Sequence, residues 1–259
     1  MRTMSSLLSS VPAPQPAPPH LQRLRVALAD GAQTTVHVAR YPIATTEVRV
    51  VRLRRPQPLA AWCARNDVPE ALVGGFYVRP QGTPLGELRT RGVERRHVAF
   101  DAPWGGVRAC VLIAGGAVAI ARRDALPARP QGDLLQAGPL LVRDGTVVEG
   151  DEEGFAAGAR QFDSDITAGR YPRAALGVSA GHLLALACDG RAKDDAGLSV
   201  KELAEVFVAL GARDALNLDG GGSTSLVCGG ALRNVPRAKH GLELPGGRSI
   251  STALLFGTR

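Results

Sequence analysis

A carboxylate followed by three glycines marks the part of this sequence best suited to chemistry. A short apolar run comes first, at residues 215–218. The residues that follow it are Asp219, Gly220, Gly221, Gly222, Ser223 and Thr224. Consecutive glycines let the backbone adopt positive φ and approach a ligand closely, so their N–H groups can converge on an anion. The pattern therefore indicates a site where a bound anion meets a carboxylate that can act as a base.

The residues before the glycines predict a strand with two polar side chains on one face. Side chains alternate between the faces of a strand, so Leu216 and Leu218 should point into the core. Asn217 and Asp219 should then share the opposite face. We therefore expect an amide and a carboxylate side by side at the end of this strand.

The glycine run also has other interpretations. The same residues are equally typical of a wide hairpin turn, because aspartate and glycine favour turns for local reasons. No Gly-Lys-Ser/Thr ending is present, as a phosphate-binding P-loop requires, and Ser225 stands where a nucleophile elbow built on Ser223 needs glycine. The pattern thus disfavours nucleoside triphosphate hydrolysis and elbow-serine chemistry.

A second carboxylate should lie at the same edge of the sheet as Asp219. Residues 183–188 are all apolar, which is typical of a strand buried on both faces, and the run ends at Asp189. A helix between this strand and residues 215–218 predicts a short crossover that places the two strands side by side. Asp189 and Asp219 should then lie near each other, where ligands often bind in open sheets.

The connecting helix is the clearest one in the sequence. Ser199 is a typical N-cap with Glu202 three residues later, and apolar residues recur every three or four positions up to Gly211. The rest of the chain shows many short strand patterns separated by turns. The expected fold class is α+β: a single domain with a mixed, strand-rich sheet covered by a few helices.

Length and the N-terminal composition predict the domain organisation. A chain of 259 residues is most simply one large domain with a sizeable core. We expect residues 1–20 to form a flexible, Pro-rich arm and residues 21–259 the folded domain. No signal-peptide core and no run of roughly 20 apolar residues is present, which predicts a cytoplasmic protein without a membrane partner.

The charge pattern and the spacing of potential metal ligands limit the classes of partner that the protein can bind. The net charge of +7 favours anions, but arginines are spread along the chain without interleaved aromatic residues, which disfavours nucleic acid. Four widely spaced cysteines are expected to be free, buried thiols. The five histidines lack ligand spacing, so no metal and no other cofactor is expected. A hard cation at Asp163 and Asp165 is the one conceivable exception.

Several blocks of the sequence resemble the phosphodiester glycosidase family. The run from Asn217 to Thr224 is similar to the family's signature. The other similar blocks are residues 136–145, residues 171–178, residues 189–191 and residues 247–254. The resemblance extends from about residue 70 to the C-terminus. It includes Gly74 and Gly75, although Val73 stands where the family has asparagine.

The resemblance implies hydrolysis of a sugar 1-phosphodiester, which frees the sugar and leaves a phosphomonoester. A departing phosphate needs positive charge and N–H donors more than it needs a proton. The arginines inside similar blocks are therefore the implied phosphate ligands: Arg173, Arg191 and Arg248. The small residues expected to line the same substrate site are Gly74, Gly75, Gly220, Gly221, Gly222, Ser223 and Thr224.

The implied catalytic residues are Asp219, Asp189 and Asn217. Asp219 would activate water or stabilise the sugar cation, with Asp189 as the second candidate, and Asn217 would orient the water or a sugar hydroxyl. Each aspartate is equally able to cap its own turn. The sequence decides neither the stereochemical course nor the oligomeric state. The expected partner is a small-molecule sugar phosphodiester.

Two further hypotheses stay open. A non-catalytic phosphosugar- or carbohydrate-binding module that retains the pocket is favoured by the exchange at Val73. A serine hydrolase using Ser223, a histidine and an acid ranks third, because this serine lies in a triple-glycine turn.

Overall fold

The computed structural model describes residues 20–102, 104–150 and 169–259, and strands dominate it. In chain order the strands are β1 His20–Ala27, β2 Gln33–Pro42, β3 Thr46–Pro58, β4 Ala71–Val73, β5 Tyr77–Val78, β6 Thr83–Pro84, β7 Leu88–Thr90, β8 Val93–Glu94, β9 Ala109–Ala114, β10 Ala117–Arg122, β11 Asp133–Gln136, β12 Leu140–Arg143, β13 Thr146–Val147, β14 Arg173–Ser179, β15 His182–Cys188, β16 Ala212–Gly220, β17 Leu226–Cys228, β18 Ala231–Leu232 and β19 Ser249–Thr258. The α-helices are α1 Leu59–Arg65, α2 Trp104–Val107 and α3 Val200–Ala209. Single 3-10 turns occupy Arg123–Ala125, Gly221–Ser223 and Lys239–Gly241.

The fold is mostly β, so the predicted α+β class is wrong. Every pairing between the named strands is antiparallel. Antiparallel neighbours can be joined by short turns, whereas parallel neighbours need long crossovers that are usually helical. The strand patterns were therefore recognised correctly, but few helices are needed to connect them.

Three larger sheets build the described part of the molecule. The central sheet has seven strands in the order β1-β2-β15-β14-β16-β12-β13. The second has the order β18-β17-β4-β19-β3, and the third β10-β9-β11-β7-β8. β5 and β6 form a separate pair.

The predicted contact between strands β15 and β16 is wrong, because β14 lies between them. Both strands are antiparallel to β14, so they run in the same direction and end at the same edge of the sheet. Arg173 at the start of β14 is paired with Cys188 on one side and with Gly220 on the other. The expected meeting of the two strand ends is therefore kept, with Arg173 between them.

The central sheet is buried on both faces, as the apolar run of β15 predicted. Its alternate residues Leu183, Ala185 and Ala187 belong to the core that the sheet shares with the other sheets. The intervening residues Leu184, Leu186 and Cys188 belong to the core beneath α3. Burial on both faces fixes the strand rigidly, which suits an element that ends at a candidate site.

Helix α3 begins with the predicted capping box. The Ser199 hydroxyl accepts a hydrogen bond from the Glu202 N–H at 3.2 Å, and the Glu202 carboxylate accepts one from the Ser199 N–H at 2.8 Å. The ring of Phe207 packs directly on Gly177 of β14, where a Cβ atom would lie 2.6 Å from it. The helix can therefore approach the central sheet this closely only because residue 177 is glycine.

Some predictions concern residues outside the described ranges. The predicted arm, apart from His20, and the conceivable cation ligands Asp163 and Asp165 are among them. The division into arm and domain therefore stays a prediction. The four cysteines are free and buried, which confirms that prediction. Within the described ranges no helix is long and apolar enough to cross a membrane, and no group of three His, Cys, Asp or Glu side chains is arranged to hold a metal ion.

Candidate active site

Asp219, at the end of β16, is a buried carboxylate with one oxygen left over. Its Oδ1 accepts a hydrogen bond from the Gly220 N–H at 2.8 Å. Its Oδ2 is fully buried and makes no hydrogen bond within the described part of the chain. The Asp219 N–H donates to the carbonyl of Gly74 at 3.0 Å, which ties β16 to the residue after β4. The carboxylate is thus held in place while Oδ2 can still accept a proton or a ligand.

Burial changes the acidity of this carboxyl group. It raises the pKa of Asp219 to about 6, because the ionised form loses its hydration. The Gly220 N–H, the side chain of Ser223 and the positive charges of Arg248 and Arg79 act in the opposite direction and offset only part of this effect. A carboxyl group with such a pKa is mostly ionised at neutral pH and is still basic enough to accept a proton during a reaction.

Two side chains near Asp219 were missed by the sequence analysis. The Tyr77 hydroxyl donates to the carbonyl of Ser249 at 2.6 Å. Burial raises the Tyr77 pKa, and the negative charge of Asp219 raises it further. Arg79 acts electrostatically on both Asp219 and Tyr77. The one signal for either residue was its place just after the second glycine of the Gly74 pair, which carries no chemistry by itself.

The Gly74–Gly75 pair joins three strands. The Gly74 N–H donates to the Thr252 carbonyl of β19 at 2.9 Å, and the Gly75 N–H donates to the Thr252 hydroxyl at 3.0 Å. A Cβ atom on Gly74 would lie 2.5 Å from that hydroxyl oxygen, so a larger residue would push β19 away. Both N–H groups therefore have acceptors. These contacts hold in place the Gly74 carbonyl that accepts the Asp219 N–H.

The glycine turn brings Arg248 to the carboxylate. Gly221 has a φ of 61°, and its N–H donates to the carbonyl of Pro172 at 2.8 Å. The Arg248 N–H donates to the carbonyl of Gly222 at 2.8 Å. A Cβ atom on Gly222 would lie 3.2 Å from the Arg248 guanidinium and 2.8 Å from the Leu244 side chain. Glycine at this position thus lets the guanidinium lie over the turn.

Polar atoms without partners accumulate along this stretch. Within the described structure the buried oxygens that make no hydrogen bond include Asn217 Oδ1, Asp219 Oδ2, Thr224 Oγ1 and Ser225 Oγ. An unsatisfied buried polar group costs about 1–3 kcal/mol, so proteins retain few of them. Their concentration around one turn is typical of a site that receives a polar ligand.

The Asn217 amide makes its hydrogen bonds to backbone carbonyl groups. Leu216 and Leu218 do belong to the core between the sheets, which confirms the predicted alternation up to that point. The pairing of β14 with β16 then shifts register before Gly220. The Asn217 amide donates to the carbonyls of Leu218 at 2.8 Å and Gly138 at 3.5 Å. Asn217 therefore contacts its own strand and the segment that precedes β12.

Asp189 is a buried carboxylate with a partner for each oxygen. Its Oδ1 accepts from the Val235 N–H at 2.7 Å, and its Oδ2 pairs with the His37 ring at 3.2 Å. Both oxygens are occupied, so this carboxylate ties β2 to the segment that follows β18.

Arg173 is completely buried behind the turn. Its Nε donates to the carbonyl of Leu198 at 2.6 Å, and its Nη2 donates to the carbonyl of Gly169 at 2.5 Å. Burial lowers the Arg173 pKa to about 10. Arg191 lines a cleft together with Tyr171. Arg248 lies over the glycine turn, and its positive charge lowers the pKa of Asp219.

Comparisons with known proteins agree with the resemblance. Residues 66–257 match the family described as phosphodiester glycosidase. No curated protein matches the chain in sequence. A similar solved structure is the catalytic domain of zebrafish N-acetylglucosamine-1-phosphodiester alpha-N-acetylglucosaminidase, auto-inhibited by its pro-peptide. The TM-score is 0.67 at 19% identity, and the match covers 93% of this chain and 83% of that one.

Two other solved structures share the fold. A hypothetical protein from Synechocystis has a TM-score of 0.62 at 20% identity, covering 92% of this chain and 62% of that one. A putative exported protein from Burkholderia pseudomallei has a TM-score of 0.59 at 17% identity, covering 87% and 74%. The exported relative contradicts the prediction of a cytoplasmic protein, which rested on the lack of a signal-peptide core and of a long apolar run.

Proposed function

Because this chain belongs to the phosphodiester glycosidase family, we propose that it hydrolyses the glycosidic bond of a sugar 1-phosphodiester. The bond from the anomeric carbon to the bridging oxygen breaks, and its electron pair leaves with the phosphate. A water oxygen bonds to the anomeric carbon and loses its proton. The products are the free sugar and a phosphomonoester.

The observation that carries the proposal is the state of Asp219. Its Oδ2 is buried and makes no hydrogen bond in the described structure, and its pKa is about 6. We assign it the role of the carboxylate that takes the proton from water or stabilises the positive charge developing on the sugar. A carboxylate of ordinary acidity would be a weaker base at neutral pH.

The phosphate needs positive charge and hydrogen-bond donors around its oxygens. Arg248 supplies positive charge, since its guanidinium lies over the glycine turn. Arg79 supplies further positive charge that acts on the Asp219 carboxylate. The N–H groups of Gly220 and Gly221 are already occupied. We therefore assign the donor role to the N–H groups that follow in the turn, together with the Ser223 hydroxyl.

The remaining predicted residues act as positioning residues in this proposal. Arg173 holds the start of β14 beside Gly220 through its contacts with two carbonyl groups. Asp189 fixes the neighbouring strand end, and Gly74 fixes the backbone of Asp219. Substituting any of these should disturb the site indirectly, through its geometry.

A binding module without catalysis is the second candidate, and Val73 is the observation that favours it. The side chain of Val73 is fully buried in the core between the sheets, so a polar group of the family is replaced by an apolar one. The Val73 N–H still donates to the Ser225 carbonyl at 3.0 Å. The backbone next to the site is thus retained, while any contact made by an asparagine side chain is lost. The serine-hydrolase hypothesis stays a prediction that labelling of Ser223 by a serine-directed probe would test.

Release of free sugar from a panel of α- and β-sugar 1-phosphodiesters tests the proposal. The wild type should release sugar from at least one member, and Asp219→Asn should reduce the rate by at least about 100-fold. Asp214→Asn is the matched control, because Asp214 is a buried aspartate of the same strand that pairs with Arg143 and Arg213. It should keep its activity. Saturable binding of a panel member without any turnover would favour the binding module instead.

A further inference from the structure

The Tyr77 hydroxyl lies in the candidate active site, and the chemistry proposed above does not use it. The hydroxyl donates its proton to the carbonyl of Ser249 at 2.6 Å. Burial and the negative charge of Asp219 raise the Tyr77 pKa, so the phenol keeps this proton at neutral pH. A phenolic hydroxyl has one proton and two lone pairs. With its proton already donated, the Tyr77 oxygen offers only an acceptor to a molecule that binds beside it.

The hydroxyl is held in place by the hairpin that carries it. Tyr77 is paired with Pro84 in the hairpin of β5 and β6. Strand β19 contacts this hairpin twice, since the Ser249 carbonyl accepts from Tyr77 and the Ser251 hydroxyl donates to the carbonyl of Gly82 at 2.6 Å. A polar group fixed in this way loses little freedom when it binds a ligand. The Tyr77 oxygen is therefore preorganised.

Contacts along the chain place this oxygen at the glycine turn. Arg248 directly precedes the acceptor of the tyrosine, and its N–H donates to the carbonyl of Gly222 at 2.8 Å. The side chain of Ser223 opposes the rise in the pKa of both Asp219 and Tyr77 by hydrogen bonding. One short hydroxyl group acts on both only when both lie within its reach. The phenol and the carboxylate are thus neighbours on either side of Ser223.

This part of the site has more acceptors than donors. Oδ2 of Asp219 is buried and receives no hydrogen bond from the residues that the structure describes. The Tyr77 oxygen has donated its only proton, and Ser223 has a single proton, which the proposed function gives to the phosphate. A phosphodiester brings only acceptors, so it cannot satisfy the carboxylate and the phenol. A water molecule brings two protons, which matches two neighbouring acceptors.

We propose that Tyr77 and Asp219 together hold the attacking water, each accepting one of its two hydrogens. The inference rests on the proposed function, because it gives the water of that reaction a place in the same site. Both hydrogens are then engaged, and a lone pair of the water oxygen is left to attack the anomeric carbon. Tyr77 is the residue that orients the water, and Asp219 is the base.

The bond changes balance in one step. The water oxygen bonds to the anomeric carbon, and the proton bound to Oδ2 of Asp219 moves to that oxygen. The bond from the anomeric carbon to the bridging oxygen breaks, and its electron pair leaves with the phosphate. The hydrogen that faces Tyr77 stays on the new sugar hydroxyl. Tyr77 keeps its own proton, which is donated to Ser249 throughout.

Competition between water and methanol tests this role. Methanol has one hydroxyl proton, so it cannot bond to both acceptors, and its methyl group would replace the hydrogen that faces Tyr77. Tyr77→Phe removes the second acceptor, so water loses its advantage. With the best sugar 1-phosphodiester in buffer containing methanol, the ratio of methyl glycoside to free sugar should rise about tenfold. The kcat of hydrolysis should fall about tenfold, with KM within about twofold.

Tyr41→Phe is the matched control. The Tyr41 hydroxyl also belongs to a buried side chain and donates to the Glu70 carboxylate at 2.7 Å. Its removal costs a hydrogen bond of the same kind, and the product ratio should stay at the wild-type value. Both products come from the same enzyme molecules, so partial unfolding of a variant lowers both equally and leaves the ratio unchanged.

A product ratio in Tyr77→Phe equal to that of the wild type, including no methyl glycoside from either enzyme, would overturn the proposal. So would a rise in KM with unchanged kcat, because it would show that Tyr77 binds the sugar. If the wild type releases no sugar from any substrate, the proposed function fails and this inference fails with it. Sugar release with an unchanged ratio rejects the role of Tyr77 alone.

Discussion

Replacing the proposed catalytic carboxylate should make the protein more stable at neutral pH. Burial raises the pKa of Asp219 from 3.8 to about 6. The folded state therefore disfavours the ionised form, and the cost is absent below the unfolded pKa and grows as the pH rises toward the folded pKa. Asp219→Asn removes the charge, while its side-chain oxygen can keep the hydrogen bond from the Gly220 N–H.

The size of the effect follows from the shift. One pKa unit corresponds to about 1.4 kcal/mol, so the ionised carboxylate costs about 3 kcal/mol at pH 7 and less than about 1 kcal/mol at pH 4. For a domain of this size each kcal/mol changes Tm by about 2–4 °C. The variant should therefore melt roughly 6–12 °C above the wild type at pH 7 and nearly together with it at pH 4.

Thermal and urea unfolding at both pH values measure this difference. Asp189→Asn is the control, because both oxygens of Asp189 are occupied in the structure and its replacement should lower stability. A Tm for Asp219→Asn at or below that of the wild type at pH 7 would refute the reasoning. So would a gain of equal size at both pH values, since only the loss of a charge predicts the dependence on pH.

Two predictions concern activity. The kcat/KM of the wild type should fall as the pH drops below about 6, approaching tenfold per unit, because protonated Asp219 cannot accept a proton; a flat pH profile from 4 to 7 would contradict this role. Gly222→Ala should lower sugar release by at least about tenfold, because the new methyl group displaces the Arg248 guanidinium that lies 3.2 Å away. Gly181→Ala is its control, since a Cβ atom there meets nothing within 4 Å; equal activity of the two variants would show that the position of Arg248 does not matter.

Hydrophobic periodicity and helix capping could be predicted from the sequence because they depend on residues close together in the chain. The alternation of Leu216 and Leu218, the apolar run of β15 and the capping box at Ser199 each depend on neighbours within a few residues. Such patterns identify an element and its buried face. They do not say which element lies beside it.

The position of β14 shows that limit. The block that begins at Arg173 was recognised by resemblance, yet nothing in its sequence places it between β15 and β16. The helix between those two strands suggested direct neighbours, and the same inference favoured the α+β class. Instead, β14 lies between the two strands and forms antiparallel backbone hydrogen bonds with both of them.

The candidate site was predictable only in part for the same reason. Asp219 and the glycine turn form one continuous stretch, so they were found together. Tyr77 and Arg79 come from a distant part of the chain and act on Asp219 or respond to it electrostatically, and ordinary residues of this kind carry no signal in a sequence. Conversely, Asp189 follows a strand, and no local pattern indicated that both of its oxygens are taken by His37 and Val235.

The contact between Asp219 and Gly74 links activity to folding. The Gly74 carbonyl accepts the Asp219 N–H, while the Gly74 N–H is bound by Thr252 of β19. Three segments that are far apart in the chain must therefore meet before the carboxylate is fixed, and pairings of such long range form slowly. A partly folded chain that contains the whole glycine turn but lacks these contacts would have no fixed carboxylate. Recovery of catalysis during refolding should thus report the docking of β19.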